Sequence, residues 1–142
     1  MEELICRGYL LHRLKEKIPV LLAITISVLF FSVGHFDKMF VDGTLIGIIG
    51  IINLLLISLI FVVITLKNKN IYGAIVFHFI WNFALFNIIG LNLSGIETTN
   101  SIFQMEVVNK FLTGYSYGIE SSFITTIILI IILLLTKRNV RI

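Results

Sequence analysis

Two histidines and an asparagine lie inside stretches of sequence that are otherwise apolar. His78 and Asn82 stand four residues apart in "VFHFIWN", and on a helix this spacing points an imidazole and a carboxamide toward the same place. His35 ends another apolar run, in "FSVGH". A charged Asp, Lys or Arg within a membrane segment costs on the order of 2.5–3.5 kcal/mol, and ionisable groups that persist there usually mark function.

A third polar group opens the chain in "EELICRG". Glu3 and Arg7 are spaced i, i+4 and can form an ion pair on one helical face, whereas Glu2 points elsewhere. One free carboxylate, two imidazoles and a carboxamide are the groups that a hydrolase needs. The alternative is structural, because an intramembrane His or Asn can simply bond a neighbouring helix, at about 0.6 kcal/mol, and a charge cluster can be a solvated helix face.

Composition indicates that these groups must work inside a membrane. The 142 residues are 58% hydrophobic and 13% charged, and the mean hydropathy is +1.04, whereas soluble domains are about 45–50% apolar. A spanning helix needs about 20 apolar residues. The apolar runs are 18–36, 44–66, 71–91 and 122–135, the last of which spans only if 119–121 join it.

The predicted fold is therefore an all-α membrane protein, a multi-pass bundle of about four transmembrane helices with an amphipathic or partial helix over 2–14. We expect a single domain, 1–142, with the polar motifs in 2–91, a loop over 92–118 and a last helix over 119–136. Asn53 and Ser58, in the second run, are expected to hydrogen-bond between helices.

Basic residues mark one side of this predicted bundle. The positive-inside rule then places both termini in the cytoplasm and the protein in the cell membrane. On that side lie Arg7, Arg13, Lys15, Lys17, Lys67, Lys69, Lys137, Arg138 and Arg141; on the other lie Lys38 and Lys110, with Asp37, Asp42, Glu97, Glu106 and Glu120. The basic residues form no patch interleaved with aromatics, so no nucleic-acid partner is expected. The single cysteine excludes an internal disulfide and a thiol cluster for zinc.

The three polar motifs resemble those of one family, the CPBP intramembrane proteases. That family includes type II CAAX prenyl proteases, bacteriocin-processing and immunity proteins, and lysostaphin-resistance-like proteins. Its motifs are Glu-Glu-x-x-x-Arg, Phe-x-x-x-His and His-x-x-x-Asn, in that order, and all three are present here from Glu2 to Asn82. The resemblance covers Glu2 to about Leu91, and the remainder fits as a following loop and last helix.

The resemblance implies a water-dependent endopeptidase whose substrate is a peptide or a lipidated protein at the bilayer. It makes Glu2 the general base, with His35 helping to hold the water. It makes His78 and Asn82 the groups that stabilise the oxyanion. Glu3 and Arg7 become a supporting ion pair.

Metal dependence stays open at this point. Glu2, His35 and His78 could form a three-ligand open site like those of catalytic zinc, or for another divalent metal. Members of the family have also been argued to work as metal-free glutamate proteases, and the sequence has no His-Glu-x-x-His motif.

One departure from the family pattern leaves two readings. Family members carry further transmembrane helices before the Glu-Glu motif, whereas here that motif begins at residue 2. We expect either that the true start lies upstream of Met1, or that the chain is a shortened, inactive relative that acts as a membrane immunity or binding protein. A small transporter or channel subunit ranks last, because the polar residues cluster instead of following a path across the membrane. The sequence makes no prediction of oligomeric state.

Overall fold

The computed structural model describes residues 1–36, 39–98, 100–103, 105 and 110–137. Within these residues the secondary structure is helical, apart from an isolated antiparallel bridge between Leu93 and Ile96. The helices are α1 (π-helical Leu4–Leu11, then α-helical His12–Lys15), α2 (Val20–Val33), α3 (Thr44–Asn68), α4 (Tyr72–Asn82, continued π-helically by Phe83–Ile89), α5 (Lys110–Thr113) and α6 (Phe123–Lys137). The predicted helical fold class is therefore the observed one.

Helix α3 is the centre of the bundle and packs against α2, α4 and α6. Its fully buried side chains include Ile60 and Phe61. Two polar side chains on α3 hydrogen-bond to neighbouring elements, as the sequence predicts. Asn53 donates to the carbonyls of Glu120, at 2.7 Å, and Ser122, at 2.9 Å, and the Ser58 hydroxyl accepts a bond from α1.

Two helices are long and apolar enough to cross a membrane, Thr44–Asn68 and Tyr72–Ile89. Helices α2 and α6 are apolar but shorter, with 14 and 15 residues, so only two of the four predicted spans reach the required length within their helices. Large apolar side chains cover the outside of the helices; Leu21 on α2 is 76% exposed and Leu134 on α6 is 64% exposed. An exterior of this kind is typical of helices that face lipid.

The last helix begins later than the sequence predicts. Ile119–Ser121 form a separate 3₁₀ turn, and Ser122 is extended, with φ −96° and ψ 150°. The Ser122 hydroxyl accepts a hydrogen bond from the backbone N–H of Thr125 at 3.1 Å, which is the bonding of a helix N-cap. The cap fixes the start of α6 at Phe123, so 119–121 do not extend this helix.

In the described residues of the predicted loop over 92–118 there is one short helix, α5. Five charged residues used in the orientation prediction lie outside the described residues: Asp37, Lys38, Glu106, Arg138 and Arg141. The side chain of Lys110 is not described either.

The first turns of α1, with Glu3 before them, bury two charged side chains and expose several apolar ones. Glu3 and Arg7 are buried, at 3% and 1% exposure, whereas Leu4 and Tyr9 are exposed. This inverted pattern suits a helix whose outer face meets lipid. The hydroxyl of Ser27 on α2 donates to the carbonyl of Cys6 at 2.8 Å, which fixes α1 against the bundle.

Candidate active site

Three elements bring Glu2, His35 and His78 together. Glu2 precedes the π-helical part of α1, His35 follows the end of α2, and His78 lies within α4. One carboxylate oxygen of Glu2 lies 3.7 Å from His35 Nε2, and the other lies 3.7 Å from His78 Nε2. The two imidazoles therefore face one carboxylate from both sides.

Glu3 connects the buried ion pair to His78. Its Oε1 lies 3.1 Å from Arg7 Nη1 and 3.1 Å from His78 Nδ1. Arg7 also donates to the carbonyl and the hydroxyl of Ser58, at 3.0 and 2.6 Å. The Glu3 carboxylate paired with Arg7 accepts hydrogen bonds, so the His78 Nδ1 that faces it carries a proton. The other ring nitrogen of His78, Nε2, then faces Glu2. The sequence predicts the Glu3–Arg7 pair but not its contact with His78.

Aromatic rings fix the His78 imidazole and the Arg7 guanidinium. Phe61 stacks on His78, with ring centroids 4.9 Å apart and an angle of 21°. Phe31 meets His78 edge-on at 6.0 Å, and its face lies 4.5 Å from the Arg7 guanidinium carbon. Phe31, the first residue of the Phe-x-x-x-His motif, thus contacts both His78 and the Arg7 guanidinium of the ion pair.

His35 lies in the turn after α2, not on a helix as predicted. Its Nδ1 is 3.0 Å from the Phe31 carbonyl oxygen, and since a carbonyl can only accept, this nitrogen carries the proton. The unprotonated Nε2 then faces Glu2. The Tyr117 hydroxyl donates to the His35 carbonyl at 3.0 Å and holds this turn from the far end of the chain.

These side chains line a cavity of about 440 Å³, which we call the Glu–His cavity. This volume is within the range of small-molecule and peptide-side-chain pockets. Asn82 lines the cavity one helical turn after His78. Most of the remaining wall is aromatic or aliphatic: Phe31, Leu54, Ile57, Phe61, Phe79, Phe83, Phe86, Leu93 and Ile96.

Glu120 and Ser94 also line the Glu–His cavity, and the sequence did not identify them as site residues. The charge pattern places Glu120 on the outer side, but it is only 8% exposed. Its Oε2 accepts bonds from the Ser94 N–H at 3.0 Å and the Ser94 hydroxyl at 2.6 Å. Burial raises the pKa of the Glu120 carboxyl, and the Ser94 bonds oppose that rise. The sequence signal that could have identified Glu120 is a carboxylate next to an apolar run.

Two glycines let the Ile119–Ser121 turn approach the Glu–His cavity. A Cβ at Gly50 on α3 would lie 2.6 Å from the Ser121 hydroxyl, so only glycine lets the Ile119–Ser121 turn lie against α3. Gly118 has φ +102°, a conformation that favours glycine, and a Cβ there would collide with the Asn92 carbonyl.

The residues proposed as metal ligands do not fit a metal centre as they are placed. Among the described residues, no group of three or more His, Cys, Asp and Glu side chains has an arrangement that could hold a metal ion. The nearest approach of Glu2 to each ring is 3.7 Å, from one carboxylate oxygen to His35 Nε2 and from the other to His78 Nε2. The chemistry below is therefore derived from the side chains alone.

Comparison with known proteins identifies one family. The family model described as "Type II CAAX prenyl endopeptidase Rce1-like" matches residues 1–84, a segment that contains all three polar motifs. No curated protein matches the chain, and no solved structure does. The match covers more than half of the 142 residues, and the chain therefore belongs to the Rce1-like family of type II CAAX prenyl endopeptidases.

Proposed function

We propose that this protein hydrolyses a peptide bond in a membrane-associated peptide or lipidated protein, through a water that Glu2 activates. Family membership implies a membrane-embedded protease. The observation that carries the role of Glu2 is its place between two imidazoles, 3.7 Å from each. That separation is too long for a direct hydrogen bond and suits groups that share a bridging water.

Glu2 and His35 would hold the attacking water. Glu2 accepts one proton of the water, and the unprotonated Nε2 of His35 accepts the other hydrogen bond. As the water oxygen bonds to the scissile carbonyl carbon, its proton passes to Glu2 and the carbonyl oxygen becomes an oxyanion. A positioned general base of this kind contributes about 10²–10⁴ in rate.

His78 and Asn82 would bind the oxyanion. With Nδ1–H directed at Glu3, the His78 ring turns Nε2 toward the site, and this nitrogen donates to the oxyanion in the imidazolium form. Asn82 adds an amide donor from the next turn of α4. One such donor contributes about 3–4 kcal/mol to the transition state. When the C–N bond breaks, Glu2 returns its proton to the leaving amine.

The wall of the cavity suits apolar substrate residues. Aromatic and aliphatic side chains such as Phe79, Phe86 and Ile96 form most of it, and the aliphatic positions of a prenylated C-a-a-X tail have matching chemistry. We further infer a multi-pass chain with both termini in the cytoplasm, from the basic residues at the end of the bundle where α1 and α3 end and α4 begins.

The test is cleavage by protein reconstituted in liposomes. Farnesylated C-a-a-X peptides and a library of acylated membrane peptides serve as substrates, and mass spectrometry identifies the products. Glu2→Gln should lower kcat by about 10³, whereas Glu16→Gln, at an exposed carboxylate, should not. Equal cleavage by wild type and Glu2→Gln would contradict the role of Glu2, and no cleavage by wild type would favour the immunity or binding role.

A further inference from the structure

A second cavity, of about 680 Å³, opens at the end of the bundle where α1 ends and α4 begins. We call it the basic cavity. Arg7, Lys15 and Lys69 line it, and no Asp or Glu among the described residues belongs to its wall. It is larger than the Glu–His cavity, and the proposed proteolysis does not use it.

The basic cavity has an excess of positive charge. Arg7 is neutralised by Glu3, but within the described part of the chain neither Lys15 nor Lys69 has an ion pair. Glu16, at the same end, pairs with Arg13 at 3.1 Å and lies 3.8 Å from His12. Two ammonium groups therefore share one cavity without a counter-ion from the described residues.

Two residues of the cavity wall each have a buried polar atom without a partner. Arg7 Nε and Thr65 Oγ1 are both buried without a hydrogen bond in the part of the chain that the structure describes, and their residues are 1% and 8% exposed. Both atoms lie beneath the surface of the wall, so the charged donors that a ligand in the cavity can reach are those of Lys15 and Lys69.

The rest of the wall is apolar and continues onto the outer surface. Leu4 and Tyr72 line the cavity and are 55% and 73% exposed. Ile75, one turn into α4, lines it as well and is 39% exposed. A ligand that combines an anionic head with an alkyl chain matches this wall better than a free anion does.

We propose that the basic cavity binds an anionic phospholipid, with the phosphate held by Lys15 and Lys69 and an acyl chain lying over Leu4 and Ile75. Basic pockets between transmembrane helices bind anionic headgroups in this way. The site is independent of proteolysis, so either proposal can fail without the other.

Native mass spectrometry of the full chain in detergent tests the site. Dioleoyl phosphatidylglycerol and dioleoyl phosphatidylcholine are compared at a few lipids per protein, so that no charged bilayer surface is present. Each lysine near an anionic headgroup contributes about 1 kcal/mol, a factor of about five, so Lys15→Gln with Lys69→Gln should weaken phosphatidylglycerol binding about 25-fold. Phosphatidylcholine binding should change little.

The matched control is Lys17→Gln with Lys67→Gln, which removes the same charge from exposed lysines that do not line the cavity. Equal losses in the two double variants would show non-specific attraction and overturn the proposal. Equal binding of the two lipids by wild type would also overturn it. If inorganic phosphate displaced phosphatidylglycerol at equal concentration, the ligand would be a free anion and the lipid assignment would be wrong.

Discussion

The two cavities differ in chemistry although one helix borders both. Among the residues that the structure describes, two carboxylates and two imidazoles line the Glu–His cavity, whereas two ammonium groups without an ion pair and no carboxylate line the basic cavity. The Glu3–Arg7 pair lies between them, because Glu3 contacts His78 and Arg7 lines the basic cavity. The Glu3–Arg7 ion pair therefore separates the Glu–His cavity from the basic cavity.

The largest expected effect is on kcat and concerns the Glu–His cavity. His78→Gln should lower kcat by about 10³, because it removes the Nε2–H donor and the ring that Glu3 orients. His12→Gln, at an exposed histidine, is the control. The measurement is the cleavage rate in liposomes at saturating substrate, and a loss of less than tenfold would contradict an oxyanion role.

The Glu3–Arg7 ion pair at the boundary between the two cavities should stabilise the fold. Arg7→Met leaves the buried Glu3 carboxylate without its arginine and with only the His78 Nδ1–H as a partner, and the expected cost is about 3–5 kcal/mol in the free energy of unfolding. Arg13→Met, which breaks an exposed pair with Glu16, should cost about 0–1 kcal/mol. Denaturant titration in detergent measures both. Similar losses in the two variants would mean that the buried pair does not define the boundary.

A substitution at Asn82 tests whether its amide acts as a donor in the Glu–His cavity. Asn82→Leu keeps the shape of the side chain but removes its amide donor, and kcat should fall by about 10². Asn87→Leu changes another asparagine of the same cavity wall and should leave kcat close to wild type. If both variants lose activity equally, Asn82 acts through the shape of the cavity and not through its amide.

The smallest expected effect concerns Glu120 and pH. Its pKa is raised in the fold, so its contribution to stability is present below the ordinary pKa and is lost as pH rises through the raised value. Glu120→Gln removes this titration. The Tm of the variant relative to wild type should therefore increase as pH rises above the ordinary carboxyl pKa, measured by thermal unfolding in detergent. A constant difference would mean that the ionised form is as well accommodated as the neutral one.

Local spacing was enough to predict the helical fold class, the two long apolar helices and one ion pair. The i, i+4 rule gave the Glu3–Arg7 pair, and the apolar runs gave α3 and α4. Contacts between distant segments were not predictable in this way. Glu120 reaches the cavity only because Asn53 holds its backbone and Ser94 holds its carboxylate, and neither contact leaves a periodic signal. The end of α2 before His35 was also missed.

The contact between Tyr117 and the His35 carbonyl links the order of synthesis to the assembly of the site. The three motifs are complete at Asn82, yet the wall formed by Glu120 and the tether from Tyr117 are translated later. A nascent chain that stops before this tether has the residues proposed for catalysis but lacks the part of the cavity wall that Glu120 forms. The wall of the Glu–His cavity is thus complete only after Glu120 has been translated.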